Sequence, residues 1–251
     1  MRITSVINQK GGVGKTTTAH ALATGLKKQG YKTLAIDTDP QGNLSYTMQA
    51  DTAKLGLYEV MQEKVAADGV IQDTVQGKIL PSTKLLTGAD LEFQDTGREW
   101  ILDSVLSPVK SSYDYIIIDC PPTLGILTIN ALTACTDVVI PLGADIYSLQ
   151  GLLQIQETIN KVKKFCNKNI TIAGLLLTRY SPRAVLSREI KDSIKEKADE
   201  LSTKLYRTVI REGIAVKEAQ TQQMSLFEYA PKSNPALDYE EFVIEYLDKL
   251  N

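Results

Sequence analysis

The sequence predicts an α/β fold: a doubly wound, mostly parallel sheet with helices on both faces. Three observations predict it. Short β-branched, nearly continuous apolar runs alternate with longer helical patterns, as expected for strands covered on both sides. Several of the runs end in turn residues or carboxylates. A glycine-rich stretch at 9–17 joins the first run directly to the first helical pattern. Strand–helix alternation implies right-handed crossovers in one sheet, whose ligands bind at the carboxyl ends of the strands.

In chain order, the strand candidates are Ile3–Asn8, Thr33–Asp37, Tyr115–Asp119, Asp137–Pro141, Ile172–Thr178 and Leu205–Ile210. Between them the periodicity predicts helices over Lys15–Gln29, Ile126–Cys135, Ser148–Phe165 and Ala184–Leu201. Residues 51–112 are less regular, with helix candidates at Gly56–Gln62 and Leu91–Leu106. Pro235–Leu250 reads as an acidic terminal helix. With 251 residues and no Gly/Ser- or Pro-rich linker, a single domain over 1–251 is expected.

Composition narrows the class. The formal charge of −2 is uneven: residues 161–211 hold thirteen Lys or Arg against five Asp or Glu, so the remainder carries −10. Such asymmetry suits a polyanionic partner or mixed-charge helix faces. Cys120, Cys135 and Cys166 lie far apart without a CxxC pair, which argues against structural zinc or an iron–sulfur cluster and for small buried hydrophobes. His20 and Trp100 are expected to be packing residues. The chain runs straight into an apolar strand, and no apolar run reaches membrane-span length, so a cytoplasmic protein is expected.

The segment Gln9-Lys10-Gly11-Gly12-Val13-Gly14-Lys15-Thr16-Thr17 follows a strand and opens a helix, the context of a Walker A phosphate loop. Its glycines let successive N–H groups converge on phosphate oxygens at a helix N-terminus. Gly11 to Thr17 form the candidate nucleotide cradle, with Lys15 on the β/γ-phosphates and the Thr16 hydroxyl on Mg²⁺. Asp119 ends an apolar run, as a Walker B carboxylate does, and can hold the Mg²⁺ shell through water. Asp39, in Asp37-Thr-Asp-Pro-Gln-Gly-Asn43, borders the same ion and is a candidate to orient or deprotonate the attacking water. Turn formation accounts for the same Asp-Pro-Gln-Gly-Asn residues. Lys10 is either a surface charge or a second cation reaching phosphate, including that of a neighbouring subunit.

Taken together, Lys10-Gly-Gly-Val-Gly-Lys15-Thr-Thr, Asp37-Thr-Asp-Pro-Gln-Gly-Asn43 and Ile118-Asp-Cys-Pro-Pro122 resemble the deviant Walker A ATPases, most of all the ParA/Soj partition ATPases. The likeness continues through Leu57-Tyr-Glu-Val60, Ile79-Leu-Pro-Ser82, Lys217-Glu-Ala219 and Tyr229-Ala-Pro-Lys-Ser233. The resemblance implies a slow, partner-stimulated ATP hydrolase with Mg²⁺. Lys10 would then be the signature lysine that reaches the ATP of the other protomer, and Gly12 would lie where two loops meet. Asp39 would be the catalytic carboxylate. It further implies an ATP-bound homodimer that holds double-stranded DNA without sequence preference, a ParB-like stimulating protein, nucleoid association, and segregation of plasmid, chromosome or other cargo. An N-terminal helix-turn-helix is not expected.

Departures from the family pattern fall at the end of the last strand. Glu212 and Ala215 stand where Soj-like chains carry two arginines, the second associated with DNA contact. Thr178 and Arg211 are nominated as adenine contacts. Arg183, Arg188, Lys191 and Lys195 are candidate DNA-binding residues; the last three share a helix face by spacing, and interleaved acids offer a plain solvated face as the alternative. Competing functions are a MinD-like positioning ATPase on a non-DNA matrix and a metabolic ligase resembling dethiobiotin synthetase. The acidic tail argues against membrane binding through a basic terminal helix.

Overall fold

A computed structural model describes residues 1–145, 147–182 and 184–248. Its eight strands form a single sheet: β1 (Arg2–Val6), β2 (Thr33–Asp37), β3 (Gln72–Thr74), β4 (Gly77–Leu80), β5 (Tyr115–Asp119), β6 (Asp137–Gly143), β7 (Thr171–Tyr180) and β8 (Leu205–Arg211). Their order is β3-β4-β2-β5-β1-β6-β7-β8. Every neighbouring pair is parallel except β3 with β4. The predicted architecture is therefore the observed one.

Alternation along the buried strands divides the core in two. Ile116 and Ile118 face one side, where helices Ile126–Ala134, Tyr147–Phe165 and Val185–Glu200 pack; Tyr115 and Ile117 face the other, against helices Lys15–Lys28 and Asn234–Asp248. The helices present apolar stripes at helical spacing, such as Leu152, Ile155, Ile159 and Val162. Among the described residues, no helix is long and apolar enough to cross a membrane.

The two sheet edges are protected differently. β3 is only three residues long, the shortness that blunts an edge. β8 is clipped by the terminal helix. Glu245 accepts hydrogen bonds from the Arg207 and Thr208 amides and the Thr208 hydroxyl at 2.8–2.9 Å, and Asp238 accepts one from the Arg211 amide at 2.8 Å. Seven residues apart, these two carboxylates lie on one helix face and replace a ninth strand.

Three expectations need correction. The β3–β4 hairpin was not anticipated, because Gln-Asp-Thr carries no apolar alternation and is placed by its pairing with β4. The helix predicted over Leu91–Leu106 is interrupted: Ala89–Glu92, a 3₁₀ turn at Arg98–Trp100 and Ile101–Leu106 are separate, broken at Gly97 with φ 88°. Trp100 is 42% exposed rather than packed. His20 is buried as expected and hydrogen-bonds Gln76 at 2.7 Å; burial lowers its pKa to about 4, so it is neutral. Cys120 and Cys135 are buried, and Cys166 is half-buried.

Candidate functional site

The carboxyl ends of β1, β2 and β5 converge. In register, Asp37 lies beside Asp119, and Asp119 beside Val6 of β1. From Val6 the chain enters the phosphate loop, whose start is fixed by Asn8. Its amide nitrogen donates to the Pro141 carbonyl at 2.6 Å, and its oxygen accepts from the Lys10 amide at 2.9 Å. Gly12 and Gly14 take φ values of 73° and 84°, a region other residues adopt only with strain. Gly14 is the N-cap of Lys15–Lys28 and supplies no side-chain acceptor, so the first helical N–H groups point into the cleft uncapped.

Around that loop lies a cleft of about 780 Å³. It is lined by Gly11, Gly12 and Gly14 to Thr17, by Asp39, and by Thr178, Arg179, Arg211 and Glu212 from the far wall. Val13 is buried beneath the loop and contributes its carbonyl to Thr178. The Lys15 ammonium is buried and donates to the Lys10 carbonyl at 3.2 Å. Burial lowers its pKa, against the opposing pull of Asp119 and Asp39.

Asp119 is the anomaly of the site. It is fully buried, and neither carboxylate oxygen has a hydrogen-bond partner. Burial, then the charge of Asp37, pushes its carboxyl well above the ordinary range, with Thr16 and Lys15 acting in the opposite sense. Asp37 is raised to about 6, also mainly by burial, despite hydrogen bonds from Ser45 and the Asp39 amide. Buried carboxylates ordinarily find donors. Two adjacent ones, one wholly unpartnered and facing a lysine, make a strong receptor for a cation. Asp39 is 7% exposed, and its carboxylate accepts the Gln41 amide at 2.9 Å.

Lys10 turns toward its own chain. Its ammonium donates to Asp145 at 2.6 Å, an exposed pair; burial alone would raise the Asp145 carboxyl, but Lys10 holds it below the usual range. Thr17 accepts from Gln220 at 3.2 Å.

The two nominated adenine contacts line the cleft, and both already donate within the chain. The Thr178 hydroxyl donates to the Val13 and Leu142 carbonyls at 2.8 and 3.1 Å, which ties the loop to β6 and β7. The Arg211 guanidinium forks onto Asp238 through Nε and Nη2, at 2.9 and 2.6 Å. Sequence reasoning missed Arg179. Its backbone has φ 51°, and its guanidinium reaches from the Gly12 carbonyl at 3.4 Å to Glu212 at 3.2 Å. The only hint was Glu212 in an arginine's place.

The basic residues are elsewhere, on Val185–Glu200. Ser187, Ile190, Ile194 and Ala198 form the buried stripe. Arg188 and Lys195 are exposed, and Lys191 is half-buried with its ammonium 5.9 Å from the centre of the Tyr180 ring. At about 100° per residue, these three bases gather beside the stripe, and Glu189, Asp192 and Glu196 follow them on the outer face. Asp192 lies one turn from both Arg188 and Lys195, so the bases border the acids on the exposed surface. Arg183 lies outside the described residues.

Comparison with known proteins agrees with the geometry. A family described as AAA domain matches residues 1–172. The sporulation initiation inhibitor protein Soj of Bacillus subtilis is 38% identical over 95% of both chains. The chromosome partitioning protein ParA of Myxococcus xanthus is 35% identical, over 95% of this chain and 85% of its own. Among solved structures, cobyrinic acid a,c-diamide synthase of Mycobacterium smegmatis, with bound ADP and magnesium, superposes with a TM-score of 0.87. It is 32% identical and covers 100% of this chain and 95% of its own.

Proposed function

The chain belongs to the ParA/Soj family of P-loop ATPases, and on that premise we propose that it is an ATP-driven dimerising switch that grips DNA without sequence preference. The observation that carries the nucleotide chemistry is the unpartnered Asp119 carboxylate beside Lys15 at an uncapped helix N-terminus. Among the described residues, no three His, Cys, Asp or Glu come together to hold a metal by themselves. A divalent ion here would complete its shell with phosphate oxygens and water, which fits Mg²⁺ arriving with ATP. Thr16 and Asp119 would hold it, and bound there it would neutralise charge on the phosphate oxygens.

The chain's own residues supply the rest. The 11–17 amides and Lys15 orient the phosphates. Asp39 positions a water in line with the γ-phosphorus and accepts its proton as the water oxygen bonds to phosphorus and the bond to the bridging oxygen breaks. The products are ADP and phosphate. Lys10, held by Asp145 in the single chain, would exchange that partner for the phosphates of a second protomer. At Gly12 an added Cβ would meet only Arg179, at 3.9 Å, yet the φ of 73° favours glycine there with or without a facing loop.

Arg188, Lys191 and Lys195 form the candidate DNA flank, since phosphate contacts need charge rather than base-reading geometry. The terminal helix is committed to clipping β8, which disfavours a lipid-gripping role. A ParB-like protein is the expected stimulator. The ligase reading keeps one support, the name of the superposed synthase.

The test measures binding to a random-sequence duplex with ATP, ADP or no nucleotide across a salt series, with solution mass in parallel. ATP-dependent dimers that bind DNA, more weakly as salt rises, are expected. DNA retention that ignores nucleotide would overturn the switch. A carboxylate-dependent consumption of ATP by a monomer would favour the ligase.

A further inference from the structure

The loop that carries Asp39 is gripped by a closed ring of buried hydrogen bonds. The Asp39 amide donates to one oxygen of Asp37 at 3.1 Å. The other oxygen of Asp37 accepts from the Ser45 amide and hydroxyl at 2.8 and 2.7 Å. Ser45 Oγ accepts from the Ser82 amide at 2.9 Å, and the Ser82 hydroxyl donates to the Asp39 carbonyl at 2.6 Å. The ring therefore closes on both sides of the Asp39 residue, N–H and C=O.

Its members come from three elements: the end of β2, the short helix Asn43–Thr47, and the segment after β4. Asp37 and Ser45 are wholly buried, and Ser82 is 1% exposed, so each bond forms away from competing water. The ring leaves the Asp39 carboxylate itself free to aim into the cleft; its one backbone donor is the Gln41 amide. Ser82 is 43 residues from Asp39 and belongs to the hairpin side of the sheet, opposite the phosphate loop across β2. Nothing in the phosphate-binding geometry calls for it.

We propose that Ser82 and Ser45 are positioning residues for the hydrolytic step, fixing the Asp39 carboxylate through its backbone, while taking no part in holding nucleotide. The inference rests on the reading of Asp39 above. A misplacement of about 1 Å costs up to roughly a hundredfold in rate when geometry is the source of catalysis. The Asp39 carbonyl keeps a second donor, the Gly42 amide at 2.9 Å, so loss of the Ser82 hydroxyl loosens the loop without unmaking it.

The experiment compares the full-length wild type with Ser82→Ala, Ser82→Thr, Ser45→Ala and Asp39→Ala. It reads steady-state ATP turnover, affinity for a fluorescent ATP analogue with Mg²⁺, and amide hydrogen exchange. For Ser82→Ala, kcat is expected to fall about tenfold with KM and analogue affinity within about twofold, and Ser82→Thr to recover at least half of the loss. Exchange over residues 39–43 should rise about tenfold while 11–17 stays unchanged. Wild-type turnover and exchange in Ser82→Ala would overturn the proposal. So would a loss of turnover matched by an equal loss of affinity, the mark of a merely structural role. Should Asp39→Ala hydrolyse ATP as the wild type does, the catalytic reading of Asp39 falls, while the exchange comparison still decides the clamp.

Discussion

Four buried carboxylates divide the molecule into two kinds of place. At the β8 edge, Glu245 and Asp238 are saturated: the first takes three donors, the second an amide and a forked guanidinium. Burial would raise Glu245, but its donors hold it below the ordinary range. At the ends of β2 and β5, Asp119 has no donor within hydrogen-bonding distance, Thr16 and Lys15 only partly offset its burial, and Asp37 is raised to about 6. The same residue type is a staple where its donors are built into the fold, and a receptor where they are withheld. A buried acid left unpartnered destabilises the resting chain, and such strain persists where a ligand relieves it.

The comparison would break first at the receptor end. Asp39→Ala is expected to lower ATP turnover by about 10²–10³ while leaving nucleotide affinity nearly intact and dimers accumulating. Wild-type turnover in that variant would remove Asp39 from the mechanism. Lys15→Ala should instead cost nucleotide affinity, read by titration with a fluorescent analogue.

At the staple end, Glu245→Ala should cost about 2–4 kcal/mol, because two amides and a hydroxyl lose their acceptor. Thermal denaturation reads this as a fall in Tm of about 5–10 °C, with turnover per folded molecule unchanged. An unchanged Tm would show that the terminal helix is held by its apolar face alone.

A smaller effect separates the two ends by pH. Asp37 has a folded pKa of about 6 against an ordinary 3.8, so between those values the folded chain holds more protons than the unfolded one. Nucleotide-free stability should therefore fall as pH rises from about 4 to about 6, with Asp119 extending the fall upward. Glu245 works oppositely: its contribution is present above its ordinary value of 4.5 and is lost as pH drops through its lowered one. Asp119→Asn should flatten the fall on the neutral side, and MgATP should do the same in the wild type. A wild-type Tm rising steadily from pH 5 to 7 without ligand would contradict the receptor reading.

The smallest expected effect lies on the helix flank. Arg188→Glu with Lys195→Glu should weaken DNA binding severalfold and reduce the salt slope by about two, without change in Tm.

What the sequence made legible follows the same division. The receptor was readable because phosphate loops need glycines, a lysine and a threonine at fixed spacing, and because β-branched runs end there in Asp37 and Asp119. The staples were not. Nothing in Pro235–Leu250 distinguishes Asp238 and Glu245 from the solvent-facing acids beside them; only docking on β8 does. Arg179 was missed for a related reason, since its role depends on a positive φ and on Glu212, just past the end of β8. The flank of Val185–Glu200 was read in outline from spacing, but its place beside the core required knowing which stripe is buried.

One contact has a bearing on how the protein is made. The Tyr239 hydroxyl of the terminal helix meets the Thr18 hydroxyl of the phosphate-loop helix at 3.0 Å, across 221 residues of chain. Tyr239 also lines the nucleotide cleft. A ribosome therefore exposes the loop long before it exposes the wall behind it. At about 5–20 residues per second the interval is roughly ten to forty seconds. Throughout that time the nascent chain carries the glycine-rich loop without its finished cleft. The cleft is thereby completed only once Tyr239 has left the exit tunnel and the terminal helix has docked.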